Sequence, residues 1–234
     1  MRKIIKHLAA SVLVPVTRWY LRKERTHSTA GVTVQVYPGV FHPGLFSSTR
    51  LLADVLNGVD LCDKTFLELV CGTGFLSITA AQRGAMVTAS DLSATAVENA
   101  KQNARQNHVA IEVIQADLFD GIPPGKFDVI VINPPYYARN PANERELAWY
   151  CGENFEYFRR LFARLGGYMN PNSLVLMALS LGCDVETIHS IGTSNGFRFQ
   201  LAKEKRVFFD GRDFVFRIHK PPVTGLSDGA SSLS

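Results

Sequence analysis

The feature that most constrains this chain is a strand–helix rhythm that begins at Lys64. Residues 65–70 form a short apolar run, Cys71-Gly72-Thr73-Gly74 interrupts it, and helical spacing follows over residues 75–83. A second apolar run over residues 85–89 ends at Ser90-Asp91, and Ser93 is placed to cap a helix over 94–107. Residues 111–114 form a third run ending in Gln115-Ala116-Asp117, and 127–132 a fourth that enters Asn133-Pro134-Pro135-Tyr136. Short strands alternating with helices build a parallel sheet covered by helices, and right-handed crossovers make that sheet doubly wound. Further on, the spacing predicts helices over 153–165 and 185–191 and a buried strand over 174–179. Two more strands, 197–207 and 214–219, flank a turn at Asp210-Gly211-Arg212-Asp213 and form an antiparallel C-terminal hairpin.

Upstream, the alternation of Val32, Val34 and Val36 reads as a strand within 31–37, Pro38 to Gly44 as a loop, and residues 49–56 as a helix. Residues 1–25 carry seven basic side chains against Glu24 alone, so this leader holds +6 of a net +4 and the body is near neutral at −2. A near-neutral body argues against a broad nucleic-acid surface, which needs clustered Lys and Arg. Ile4, Leu8, Val12, Val16 and Trp19 recur at helical spacing, so residues 1–30 are expected to be a basic amphipathic helix. The apolar run falls short of the roughly 20 residues of a membrane span, and no small-residue cleavage site follows it. Packing against its own domain or a partner is favoured over contact with a membrane or RNA surface. The Pro-, Gly- and Ser-rich residues 221–234 are expected to be a disordered tail.

Cys62, Cys71, Cys151 and Cys183 are widely spaced, with no pair at metal-ligand spacing. Reduced thiols, a cytoplasmic location and no metal are the expectation.

In a doubly wound sheet, ligands bind beyond the carboxyl ends of the strands, where all four candidate elements fall. Gly72 and Gly74 allow close approach of backbone to a ligand. They match neither a P-loop, which needs Gly-Lys-Ser/Thr, nor the three-glycine dinucleotide fingerprint. Asp91 can accept the hydroxyls of a ribose, or it can merely begin a turn. Asp117 can accept from an adenine amino group, with Leu118 or Phe119 against the ring. Asn133-Pro134-Pro135-Tyr136 is the most specific element: an Asn oxygen and free carbonyls can receive both hydrogens of an NH2 group, and Tyr136 offers a stacking face.

These residues resemble a class I S-adenosylmethionine-dependent methyltransferase, in the amino-methylating branch that includes release-factor glutamine methyltransferases and enzymes acting on exocyclic amines of bases. The resemblance covers about residues 36–220 and implies a Rossmann-like methyltransferase fold with a seven-stranded sheet, within a domain spanning 31–220. It implies S-adenosyl-L-methionine as cofactor, with Glu68, Cys71, Gly72, Thr73 and Gly74 around its methionine part, Asp91 and Leu92 at the ribose, and Asp117 and Leu118 at the adenine. It also implies that Asn133, Pro134, Pro135 and Tyr136 orient the substrate nitrogen, Asn133 also bordering the cofactor. The Pro38-to-Phe41 segment resembles the entry segment of the small ribosomal-RNA and release-factor enzymes. Val70 departs from the resembled family, which usually has glycine there, and a valine side chain can crowd the methionyl end of the cofactor. Two substrates compete: a protein glutamine amide of release-factor type, favoured by the near-neutral body, and a base amine in structured rRNA or tRNA, favoured by the basic leader. A non-catalytic binding module with the same fold is the third reading, resting on Val70 alone.

Overall fold

The computed structural model describes residues 22–180, 182–207 and 211–221. In chain order the elements are β1 (Arg25–Thr29), β2 (Val32–Val36), α1 (Ser47–Leu56), β3 (Thr65–Leu69), α2 (Phe75–Gln82), β4 (Met86–Asp91) and α3 (Ala94–Gln106). Then follow β5 (Glu112–Gln115), β6 (Phe127–Ile132), α4 (Glu156–Leu165), β7 (Met169–Ser180), α5 (Val185–Ser194), β8 (Arg198–Val207) and β9 (Gly211–His219).

Seven strands form one sheet in the order β5-β4-β3-β6-β7-β9-β8. β3 pairs in parallel with β4 and β6, β4 with β5, and β6 with β7, while β9 runs antiparallel to both β7 and β8. The sheet is thus doubly wound and mostly parallel, as its rhythm implies. The last strand inserts between β7 and β8, so β8 is the outer edge.

Strand residues alternate between two cores because successive side chains point to opposite faces. Leu67, Leu69, Ile130, Ile132, Val175 and Met177 meet Phe158, Leu161, Phe162 and Leu165 of α4 and Ile188 of α5. Phe66, Val129, Val131, Leu176 and Ala178 meet Leu51, Leu52 and Leu56 of α1 and Leu76 of α2. Burial on both faces explains why these strands read as continuous apolar runs.

Two sequence expectations change. Arg25–Thr29 is a strand paired with β2 through a tight turn at Ala30 and Gly31, so no helix continues to residue 30; the earlier leader lies outside the described residues. Both turn residues have positive φ, 51° and 79°, the twist that closes a two-residue hairpin. At the other end, Gly211, Arg212 and Asp213 belong to β9 rather than to a turn, because they pair with Val207, Arg206 and Lys205 of β8. Residues 222–234, expected to be a disordered tail, also lie outside the description.

The β1–β2 hairpin joins the domain in two ways. Val32, Val34 and Val36 are fully buried in the α1-side core. The free edge of β2 is taken up by asparagines of α3 and its C-cap: Asn107 and Asn103 exchange hydrogen bonds with the backbone of Thr33 and Gln35, and Asn99 accepts from the Tyr37 amide.

Candidate active site

One cavity of about 400 Å³ crosses the carboxyl ends of the parallel strands beside the β3/β6 switch point. Cys71, Gly72, Thr73, Asp91, Leu92, Asp117, Leu118, Asn133, Pro134, Pro135 and Tyr136 all line it, as do Glu68 and Val70. Of the expected residues, Gly74 and Phe119 stay outside.

The glycine loop explains the place of Gly74. Gly74 has φ 74° and begins α2; a Cβ there would approach the Ala100 Cβ of α3 to 3.1 Å. Gly74 therefore serves helix–helix packing. Gly72 has φ 53° and donates its N–H to Asp91 Oδ2 at 2.9 Å. The Ser93 N–H reaches the other Asp91 oxygen at 3.0 Å, so two amides fix this carboxylate at the end of β4. Burial pushes the Asp91 carboxyl above its ordinary value against these amide bonds, and the charge of Glu144 adds to the push. Ser93 also caps α3, accepting from the Ala96 N–H.

Glu68 is buried and accepts from both the backbone N–H and the hydroxyl of Ser77, tying β3 to α2. Its carboxyl is pushed up to about 8, chiefly by burial. The Cys71 thiol is likewise held well above its usual range by burial, which rules it out as a ready nucleophile.

Asp117 lines the cavity and also enters an ion pair. Its Oδ2 pairs with Arg160 Nη1 at 2.8 Å, within a surface network that includes Asp120 and Arg164. Leu118 faces the cavity, but Phe119 does not: it is buried in the core, stacked on Tyr168 at 4.3 Å. At the end of β6, Pro134 and Pro135 are buried, and Asn133 Nδ2 donates to Thr49 Oγ1 at 3.3 Å. Tyr136 packs edge-on against Tyr137 at 4.9 Å, and burial raises its hydroxyl pKa, keeping it protonated.

Sequence reasoning missed the roof. Residues from Asn140 to Gly152 cover the cavity, with Tyr137 and Trp149, and Cys151 and Tyr137, joined by backbone hydrogen bonds. Phe41, Phe46 and Trp149 cluster at ring separations of 4.5 to 5.5 Å, closing the entry segment against this roof. Glu144 accepts from the Ser93 hydroxyl at 2.6 Å and so sits at the N-terminus of α3, favourably placed in the helix dipole. Tyr157 and Arg160, three apart on α4, also line the cavity. The length of the irregular stretch between β6 and α4 was the available signal, since long loops in compact domains are usually functional.

A mostly apolar cavity with a few convergent polar groups suits a nucleoside-containing ligand. The Asp91 carboxylate keeps lone pairs beyond its two amide bonds, and the buried Tyr157 hydroxyl has no partner among the described residues. The donor set therefore fits S-adenosylmethionine. Among those residues no cluster of three or more His, Cys, Asp or Glu is placed to hold a metal, and no helix is long and apolar enough to cross a membrane.

Sheet order and cavity position together define a Rossmann-like methyltransferase. Residues 31–150 match the family described as Methyltransferase small domain. A Methanocaldococcus jannaschii protein provisionally named a protein N5-glutamine methyltransferase is 33% identical over 190 residues, 77% of this chain and 92% of that protein. Ribosomal RNA small subunit methyltransferase C of Chromohalobacter salexigens is 40% identical over 111 residues, 46% of this chain but 33% of that protein. Among solved structures, a chain of the E. cuniculi Mtq2–Trm112 complex superposes with a TM-score of 0.59 at 18% identity, covering 78% of this chain and 99% of that one. The T. thermophilus 16S rRNA N2 G1207 methyltransferase, solved with AdoMet and guanosine, also gives 0.59, at 17% identity over 83% of this chain and 50% of that one. The chain belongs to the methyltransferase small domain family and is an S-adenosylmethionine-dependent N-methyltransferase.

Proposed function

We propose that this enzyme methylates the side-chain amide of a glutamine in a protein substrate of release-factor type. The observation that carries the reading is that Asn133 and the two buried prolines wall the same cavity as the glycine loop and Asp91. In this reading Cys71, Gly72 and Thr73 hold the methionine part of the cofactor, Asp91 and Leu92 the ribose, and Leu118 with Asp117 the adenine. When bound, S-adenosylmethionine supplies an electrophilic methyl group on a sulfonium.

The chain's own residues orient the nitrogen to be methylated. The Thr49 hydroxyl takes an Asn133 amide hydrogen, which leaves Asn133 Oδ1 free to accept from the substrate. The Pro134 carbonyl accepts the second N–H, and Tyr136 stacks on the planar group. An amide held by both hydrogens presents its nitrogen face in one direction, and fixed orientation of this kind contributes roughly 7 to 11 kcal/mol to catalysis. Buried prolines and the aromatic roof exclude water from that point.

Two observations favour protein over RNA. The relative named for glutamine methylation matches over nearly its full length, whereas the ribosomal RNA enzyme matches over a third of its own. The roof and the residues flanking it, from Arg139 to Glu156, carry Glu144, Glu146, Glu153 and Glu156 against Arg139 and Arg145, an acidic rim that repels phosphate. The shared stretch with the ribosomal RNA enzyme supports the second reading, a base amine.

The test is transfer of labelled methyl groups to purified translation release factor and, in parallel, to ribosomal RNA. Label in protein, mapped by peptide mass spectrometry to a glutamine side chain, is the expected outcome; label confined to RNA would replace this reading with the second. Asn133→Ala should lower transfer by about a hundredfold or more while leaving cofactor affinity within a few-fold. Unimpaired transfer by that variant would remove Asn133 from the mechanism.

A further inference from the structure

The buried hydroxyl of Tyr157 has no hydrogen-bond partner among the described residues. Phe155 has φ 59° and turns the chain sharply into α4, and the Tyr157 N–H is anchored to the Cys151 carbonyl at 3.0 Å. These two features set the first turn of α4. Phe158, Leu161, Phe162 and Leu165 then face the core, while Tyr157 and Arg160 line the cavity. The Tyr157 ring packs edge-on against Phe158 at 5.3 Å, which fixes its orientation.

Tyr157 lines the same cavity as Asp91 and Asp117, and its hydroxyl is shielded without a protein hydrogen-bond partner among the described residues. Native structures seldom leave a buried hydroxyl unpaired, and each exception calls for a ligand or a function. A phenol in this position is a neutral donor. The Asp91 and Asp117 carboxylates on the same cavity are acceptors expected at the ribose and adenine ends of the cofactor.

We propose that Tyr157 is a cofactor-binding residue whose hydroxyl donates to an acceptor of the nucleoside, in the cavity that Asp91 and Asp117 also line. The inference rests on the cofactor site proposed above and adds a contact from α4, an element outside the strand-end motifs. It also gives a reason for the pairing of Asp117 with Arg160: the same face of α4 supplies a donor to the ligand and holds the neighbouring carboxylate in place.

Tyr157→Phe removes one oxygen and keeps the ring. Calorimetric titration with S-adenosylhomocysteine, which is not consumed, should show affinity reduced about tenfold, the effect of one neutral hydrogen bond. Titration with 5′-methylthioadenosine, which lacks the amino-acid part, should show the same fold loss. The ligand-free variant should melt at the native temperature or above it, because an unpaired buried hydroxyl is gone. Unchanged affinity in the variant would overturn the role of Tyr157 and leave the cofactor site standing. A loss seen with S-adenosylhomocysteine but not with 5′-methylthioadenosine would overturn the nucleoside assignment, and a loss matched by a lower melting temperature would make the residue structural. Failure of the native protein to bind either ligand would remove the cofactor site itself, and this inference with it.

Discussion

Val70 is a β-branched residue held at φ 60°, in the left-handed region that L side chains resist. Such a conformation costs on the order of 1 to 3 kcal/mol and persists where the surroundings impose it. Here Leu69 continues the β3–β4 pairing before it and the Cys71 N–H bonds to the Ser90 carbonyl at 2.9 Å after it, so the turn is pinned on both sides. The identity of this residue was legible in the sequence; its backbone angle was not. Val70→Gly should therefore stabilise the ligand-free protein by about 1 kcal/mol net, since the relief of strain exceeds the roughly 0.4 to 1 kcal/mol lost to a more flexible unfolded chain. Urea unfolding at unchanged slope would show it, and a midpoint at or below the native one would mean that the valine is not strained. Gly74 teaches the opposite lesson. Its motif pointed to the cofactor, yet the contact that requires glycine is with Ala100 on the neighbouring helix.

Asn99 and Asn103 of α3 and Asn107 at its C-cap follow one stripe at intervals of four residues and engage Tyr37, Gln35 and Thr33 at intervals of two. The match is geometric: four helical residues rise about 6.0 Å and two strand residues about 6.6 to 6.8 Å. Side-chain amides thus replace a neighbouring strand along the β2 edge. Asn103 makes a further bond to the Thr73 carbonyl at 3.0 Å, so it also steadies the glycine loop. Asn103→Ala leaves several backbone groups unpaired and should cost about 2 to 4 kcal/mol in chemical denaturation, more than Asn107→Ala, which is partly exposed and touches no part of that loop. Equal costs would make the loop bond energetically silent. The helix itself was plain from the cap at Ser93 and the apolar spacing. The asparagine ladder was not, because its partners lie more than 60 residues away in sequence and polar periodicity alone names no target.

For the molecule as a whole, the buried carboxylates beneath the cavity set a pH dependence. Glu68 ordinarily titrates at 4.5 and is pushed to about 8 when folded, so the native state holds a proton that the unfolded chain has released. Its contribution is full below about pH 4.5 and is lost progressively as pH rises to about 8. At about 1.4 kcal/mol for each unit the loss amounts to several kcal/mol. Asp91, also raised by burial, acts in the same direction. Glu68→Gln keeps an oxygen for both Ser77 donors and should flatten this slope, which melting curves between pH 5 and 8 would reveal. Parallel slopes for native and variant would place the titration elsewhere.

By itself the sequence determined the doubly wound sheet and the strand ends that carry Asp91, Asp117 and Asn133, because period-two and period-3.6 patterns follow from backbone geometry within a few residues. It also marked the residues from Asn133 to Tyr136 as the place where a planar nitrogen could be held, since their chemistry is local. Only the tertiary structure decided that β9 inserts inside β8, that Arg25–Thr29 forms a hairpin, and that Phe119 turns to the core. It alone brought the segment from Asn140 to Gly152, with Tyr157 and Arg160, over the cavity. Those outcomes depend on contacts between segments far apart along the chain, where what matters is which surfaces can be buried together, and no local pattern encodes that choice.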